Sequence, residues 1–120
     1  MAYRGHERRK HPRITAHFIV SYRVLKDEES LDVSQTKNLS LGGMLLTTNK
    51  PFPEGTHLAL EVRLPFDPDP ITLVAKVLES HKVIEGLIYD TRLSFLSIDE
   101  KHKKKIFKTV SYYLGKSKET

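Results

Sequence analysis

The chain has 120 residues, no cysteine, 38% hydrophobic and 29% charged residues, and a net charge of +5. That is the size of one domain with its own core, and the balance excludes a disordered chain, a disulfide scaffold and thiolate chemistry. No apolar run approaches the roughly 20 residues of a membrane-spanning helix, and no uninterrupted apolar segment follows the basic N-terminus as in a secretory signal, so a cytoplasmic protein is expected.

Residues 1–13 carry Arg4, Arg8, Arg9, Lys10 and Arg13 against Glu7 and are expected to be a flexible basic arm. From Ile14 to Ser97 the pattern is period-2 alternation broken by turn signals, which predicts short antiparallel strands. Phe18, Val20, Tyr22 and Val24 line one face of the first strand, with His17, Ser21 and Arg23 on the other. The acidic run 27–30 is a turn, and a second strand carries Leu31 and Val33 toward Asn38. A third strand, Met44 to Thr48, follows Gly42-Gly43 and is closed by Pro51, Pro53 and Gly55, which cannot sit mid-sheet. Leu58, Leu60, Val62 and Leu64 mark a fourth, Ile71 to Val77 a fifth beyond the Pro/Asp turn 65–70, and Leu87 to Phe95 a sixth. Six such strands without intervening helices predict a mainly β fold, a small antiparallel barrel over 14–97.

Ser97-Ile98-Asp99-Glu100 has the form of a capping box, so a C-terminal helix is expected over 98–115. Ile106, Phe107, Val110, Tyr113 and Leu114 form the stripe that would dock on the barrel, Gly115 supplies the stop, and 116–120 is a tail.

The charge is distributed unevenly along this plan. Residues 1–13 and 99–120 are each net +4, and residues 14–98 are net −3. A protein that grips long nucleic acid spreads its cations over a face of the fold, whereas here they stand at the two ends. A small anionic ligand held by a basic arm fits better than nucleic acid. The six histidines show no metal-ligand spacing, Ser40 has no histidine spaced as a base, and no glycine-rich loop opens a helix. Neither a metal site nor an enzyme is expected, and no catalytic residue is assigned.

Two clusters carry the chemistry. Arg9 and Arg13 make Arg-x-x-x-Arg just before the first strand. Pro12 disfavours helix at His11, so the segment is extended and its four steps span at most about 14 Å. Two guanidiniums at that separation can close on one ligand, each with a donor fork suited to phosphate or to the O6/N7 edge of guanine. Arg4 and Arg8 repeat the spacing, and taken alone the pattern equally describes a solvated arm. The second cluster, Asn38-Leu39-Ser40-Leu41-Gly42-Gly43, reads Asn-x-Ser-x-x-Gly. On an extended chain Asn38 and Ser40 share one side as a polar shelf, Leu39 and Leu41 face the core, and Gly43 permits positive φ or a close backbone approach. An ordinary glycine turn has the same form.

Together, about 25 residues apart and in this order, the clusters resemble the PilZ domain family, whose signatures are Arg-x-x-x-Arg before the first strand and Asp/Asn-x-Ser-x-x-Gly between the second and third. The resemblance spans nearly the whole chain and implies a six-stranded PilZ-type barrel with a C-terminal α-helix. It implies a receptor for the second messenger cyclic di-GMP, with no cofactor. By position, Arg9 and Arg13 would contact phosphate and guanine, Arg8 would add a further phosphate contact, and Asn38, Ser40 and Gly43 would form the shelf beneath a guanine. Near the end of the fifth strand some members place Trp or Arg where this chain has Leu78 or Glu79, which bears on affinity and ligand number. The last strand has Arg92-Leu93-Ser94-Phe95 where the family commonly reads Gly-x-x-Phe, a change bearing on barrel packing. Ligand-induced ordering of the arm would signal to an effector protein the sequence does not identify. Two alternatives stand beside this reading, a PilZ-like interaction module without ligand and a barrel that binds single-stranded nucleic acid.

Overall fold

The structure is a computed structural model and describes residues 11–119. Its strands are β1 (Ile14–Thr15), β2 (Ile19–Val24), β3 (Asp32–Leu39), β4 (Gly43–Thr48), β5 (His57–Val62), β6 (Ile71–Ile84) and β7 (Ile88–Ser97), followed by helix α1 (Glu100–Glu119). All pairings are antiparallel, and the sheet runs β1-β3-β2-β5-β6-β7-β4. The β3–β4 pairing closes β2 to β7 into the expected six-stranded barrel. β1 adds a seventh strand because the first predicted strand is interrupted. Residues 16–18 leave the ladder, and Thr36 fills the break, accepting from the Phe18 amide at 3.0 Å and donating to the Ala16 carbonyl at 2.6 Å.

The barrel interior follows the alternation. Val20, Tyr22, Leu46, Leu58, Leu60, Val62, Ile71, Leu73, Val77 and Leu93 are buried, and Ile106 and Val110 of α1 join the same core. Tyr113 stands edge-on to Phe18 with centroids 5.7 Å apart. Phe107, expected on the docking stripe, is 58% exposed, and Thr109 is buried instead. The stripe is one position out because Thr109 can face the barrel with its hydroxyl satisfied by the Lys105 carbonyl at 2.9 Å.

Three further local features depart from expectation. Leu31 and Val33 lie outside the barrel, 61% and 59% exposed, although they share the parity of buried Leu39. A register shift between Thr36 and Asn38 changes the phase. Thr36 points inward before it and Leu39 after it, which leaves Asn38 on the outer face. Second, β6 continues past Val77 to Ile84, making with β7 a ribbon that turns at Gly86 (φ +76°).

Third, the helix starts and ends differently. Ser97 remains in β7, paired with Val74, and the Asp99 carboxylate accepts from the His102 amide at 2.9 Å. Asp99 is therefore the N-cap. Gly115 does not adopt positive φ, so it offers no left-handed stop, and the helix runs through it to Glu119. In the first half of the helix Lys105 donates to Asp67 across 2.6 Å. That hydrogen bond holds the Asp67 carboxyl below its ordinary range.

Candidate functional site

The phase shift in β3 and the tight β3–β4 turn build one face of the barrel. Ser40 organises the turn. Its hydroxyl accepts from the amides of Gly42 at 3.1 Å and Gly43 at 3.2 Å and donates to the Gly43 carbonyl at 3.3 Å. All its hydrogen-bonding positions are thereby committed within the turn. Gly43 is required for a different reason. A β-carbon there would fall 2.0 Å from the Leu93 carbonyl oxygen, so only glycine lets β4 pair with β7 at Ser94. Of the two expected roles for this glycine, the close approach is the one observed; positive φ is not.

Asn38 is fixed by its neighbour in the sheet. Its Oδ1 accepts from the Leu45 amide at 3.1 Å, which orients the side-chain amide of a residue that lines the pocket and leaves the Nδ2 donors for another partner. On the same face lie Arg13, which enters just before β1, and His11, whose ring packs over Gly42, Cδ2 standing 3.0 Å from where a β-carbon would be.

These residues line one cavity of about 180 Å³, with walls completed by Leu45, Leu78, Arg92 and Ser94. The structure thus brings Arg13, Asn38, Ser40 and Gly43 together, while Arg8 and Arg9 lie outside the described residues. Among the described residues the lining includes two guanidiniums, Arg13 and Arg92, and no carboxylate. Such a hollow offers an anion forked donors and one amide as edge readers, with the charge of Arg92 offset by Glu79 beside it.

Sequence reasoning missed His11 and Arg92 as pocket residues. Arg92 was visible only as a departure from Gly-x-x-Phe. Its place follows from strand register, because Thr15, Asn38, Leu45, Arg92 and Glu79 form one row across five strands. Glu79 also falls on this row, where its Oε2 accepts from Arg92 Nε at 3.1 Å. A second, larger groove of about 630 Å³ lies on the outer face of β2, β5 and β6, but it contains none of the motif residues. There Arg23 turns back to the carbonyls of Val24 and Leu25, at 3.4 and 2.9 Å. The described residues include no cluster suited to a metal ion, and no helix of theirs is long and apolar enough to cross a membrane.

Comparison with known proteins agrees with the architecture. The family model of the PilZ domain matches residues 7–111, and the chain belongs to that family. Among solved structures, the chain is similar to the Bacillus subtilis inhibitor of motility (MotI/DgrA), at 19% identity and a TM-score of 0.76 over 95% of this chain and 53% of that one. It therefore spans about half the length of that protein. It is also similar to the PilZ domain of YcgR from Escherichia coli, solved with c-di-GMP, at 22% identity and a TM-score of 0.69 over 94% and 96% of the two chains. A third match is the K. pneumonia MrkH–c-di-GMP complex, at 19% identity and a TM-score of 0.72, covering 94% of this chain and 55% of that one. Among curated proteins no match was found.

Proposed function

We propose that this PilZ domain is a receptor for cyclic di-GMP and that the ligand seats a guanine and its phosphate in the hollow between Arg13, Asn38 and Arg92. The observation that carries the reading is the convergence of Arg13 and Asn38, far apart in sequence, on one pocket whose described lining contains no carboxylate. A dianion bearing two guanines needs forked cations and edge-reading amides, and these groups supply both. The c-di-GMP in the solved YcgR domain and MrkH adds support from the family.

At about 180 Å³ the cavity is smaller than the roughly 300–1,000 Å³ of sites that enclose a drug-sized molecule. It suits one part of the ligand, and the rest is then covered by the basic arm, with Arg8 and Arg9 closing over it. Ser40 and Gly43 act by shaping the turn beneath the base. Ordering of the arm changes the surface offered to an effector protein and is the signal. Against single-stranded nucleic acid stands the disposition of the aromatic rings. Phe18, Tyr22, Phe52 and Tyr89 are buried in the fold, and the exposed Phe66, Phe107 and Tyr112 lie away from the pocket, which no Phe or Tyr lines as a stacking platform. In this reading the protein is a cytoplasmic binding module and not an enzyme.

Calorimetric titration with cyclic di-GMP, with GTP and a short single-stranded RNA as controls, tests the reading. Saturable binding of cyclic di-GMP alone is expected, weakened by about 1–3 kcal/mol in Arg13→Ala. Heat with RNA only would point to a nucleic-acid barrel, and no heat with any of the three would leave a protein-interaction module.

A further inference from the structure

Arg92 belongs to neither motif, yet it stands in the pocket with Leu45 between it and Asn38 in the cross-strand row. We infer that Arg92 is a specificity-determining residue that reads the O6/N7 edge of a guanine, with Glu79 as the positioning residue that sets its orientation. The inference rests on the cyclic di-GMP reading and adds to it the group that distinguishes the base.

The geometry of the pair carries the argument. Glu79 accepts from Arg92 through Nε at 3.1 Å, so the side of the guanidinium is held while its two terminal nitrogens remain as an end-on fork. His81 Nε2 stands 3.2 Å from the other carboxylate oxygen. Arg92 and Glu79 are both partly exposed, at 39% and 44%, so the fork can meet a ligand without rearrangement of the barrel. Leu45 lies between Arg92 and Asn38 in the row, and with Leu78, next to Glu79 on the other side of Arg92, it gives the lining an apolar surface on which a flat base can lie.

Charge separates an edge reader from a phosphate clamp. The Glu79 carboxylate cancels the Arg92 cation, so the pair adds little net attraction for a dianion. What remains is directional, two donors on a fixed plane. Guanine presents two acceptors, O6 and N7, to such a fork, whereas adenine presents N7 beside a donor amine that opposes it. The pair is thus suited to selecting the base rather than the backbone.

The test compares cyclic di-GMP with cyclic di-AMP, which shares the phosphate ring and differs only in the bases, in calorimetric titrations of the full chain and its variants. The parent is expected to bind cyclic di-GMP in strong preference. Arg92→Ala is expected to lose about tenfold to a hundredfold in affinity for cyclic di-GMP with little change for cyclic di-AMP, so that the preference collapses. Arg92→Lys, which keeps a charge and loses the fork, is expected to lose most of the preference as well. Glu79→Ala should retain part of it, because the fork survives without its brace. Thermal unfolding close to that of the parent shows that each variant is folded, and if Arg92→Ala is not, Arg92→Lys decides. Equal weakening toward both dinucleotides, or a preference that survives Arg92→Lys, would overturn the assignment of Arg92 while leaving the receptor reading intact. An unchanged preference in Glu79→Ala would remove the positioning role. A parent that binds neither dinucleotide would overturn the receptor reading and this inference together.

Discussion

Gly43 sits where β4 and β7 approach most closely, so substituting it probes the shape of the pocket apart from its chemistry. A methyl group 2.0 Å from the Leu93 carbonyl oxygen must push the strands apart. Gly43→Ala is expected to cost about 1–3 kcal/mol in urea unfolding, the usual cost of overpacking, whereas Gly55→Ala, where a β-carbon meets nothing within 4 Å, is limited to the strain of its positive φ. Tyr22 makes a separate prediction about pH. Burial, and then the negative charge of Asp32, push its hydroxyl up to about 12, and that hydroxyl donates to Asp32 Oδ2 at 3.1 Å. Because the folded value lies above the ordinary 10, the stabilisation from keeping this phenol neutral is whole below pH 10 and is lost as pH rises toward 12. The loss is about 2–3 kcal/mol. Urea midpoints measured from pH 9 to pH 11.5 should fall more steeply for the parent than for Tyr22→Phe, and parallel curves would show that Tyr22 does not carry the effect. At this scale the sequence identified Arg13, Asn38, Ser40 and Gly43 as the residues of interest. It did not separate ligand contact from turn building, because that division depends on where the Ser40 hydroxyl and the Gly43 backbone point.

The elements show where period and spacing suffice and where they do not. β2 and β5 were legible because each keeps one apolar face in alternation, as with Leu58, Leu60 and Val62, and β4, whose buried face is Met44, Leu46 and Thr48, was legible from the glycines and prolines that bound it. β3 was legible as a strand and not as a face. Leu31, Val33 and Leu39 share one parity, and only the shift after Thr36, paired across to Leu46, separates two exposed leucine-like positions from one buried one. That same shift turns Asn38 outward, so the irregularity is what places the motif in the pocket. The β6–β7 ribbon was missed because Glu79 to Lys82 are polar and carry no core signal, yet cross-strand pairing continues from Glu79 and Arg92 to Ile84 and Ile88. At the start of α1 the S-x-x-E pattern pointed to Ser97, but strand pairing keeps that residue and Asp99 takes the cap. Asp99→Ala is accordingly expected to lower stability by about 1 kcal/mol and Ser97→Ala by much less, measured as shifts in the denaturation midpoint. A larger effect at Ser97 would restore the capping box.

In the whole molecule the barrel acts as a rigid frame that brings the segment before β1, the β3–β4 turn and the middle of β7 to one surface. Fold class and barrel closure could be expected from six alternating segments and a family resemblance, since both depend on patterns that run along the chain. The pocket could be expected only in part, because it is assembled across strands. Asn38 and Arg92 are 54 positions apart in the numbering and meet through Leu45, a relation that only register reveals. The larger groove over β2, β5 and β6 lies on another face and gives the account a direct competitor. Two-dimensional amide NMR of the full chain, titrated with cyclic di-GMP, decides between the two faces in one experiment. Saturable shifts are expected at Arg13, from Asn38 to Leu45, at Leu78 and from Arg92 to Ser94, with Ser21, Ala59 and Thr72 unmoved. Shifts centred on those last three residues, or no shifts at ligand excess, would contradict the proposed site.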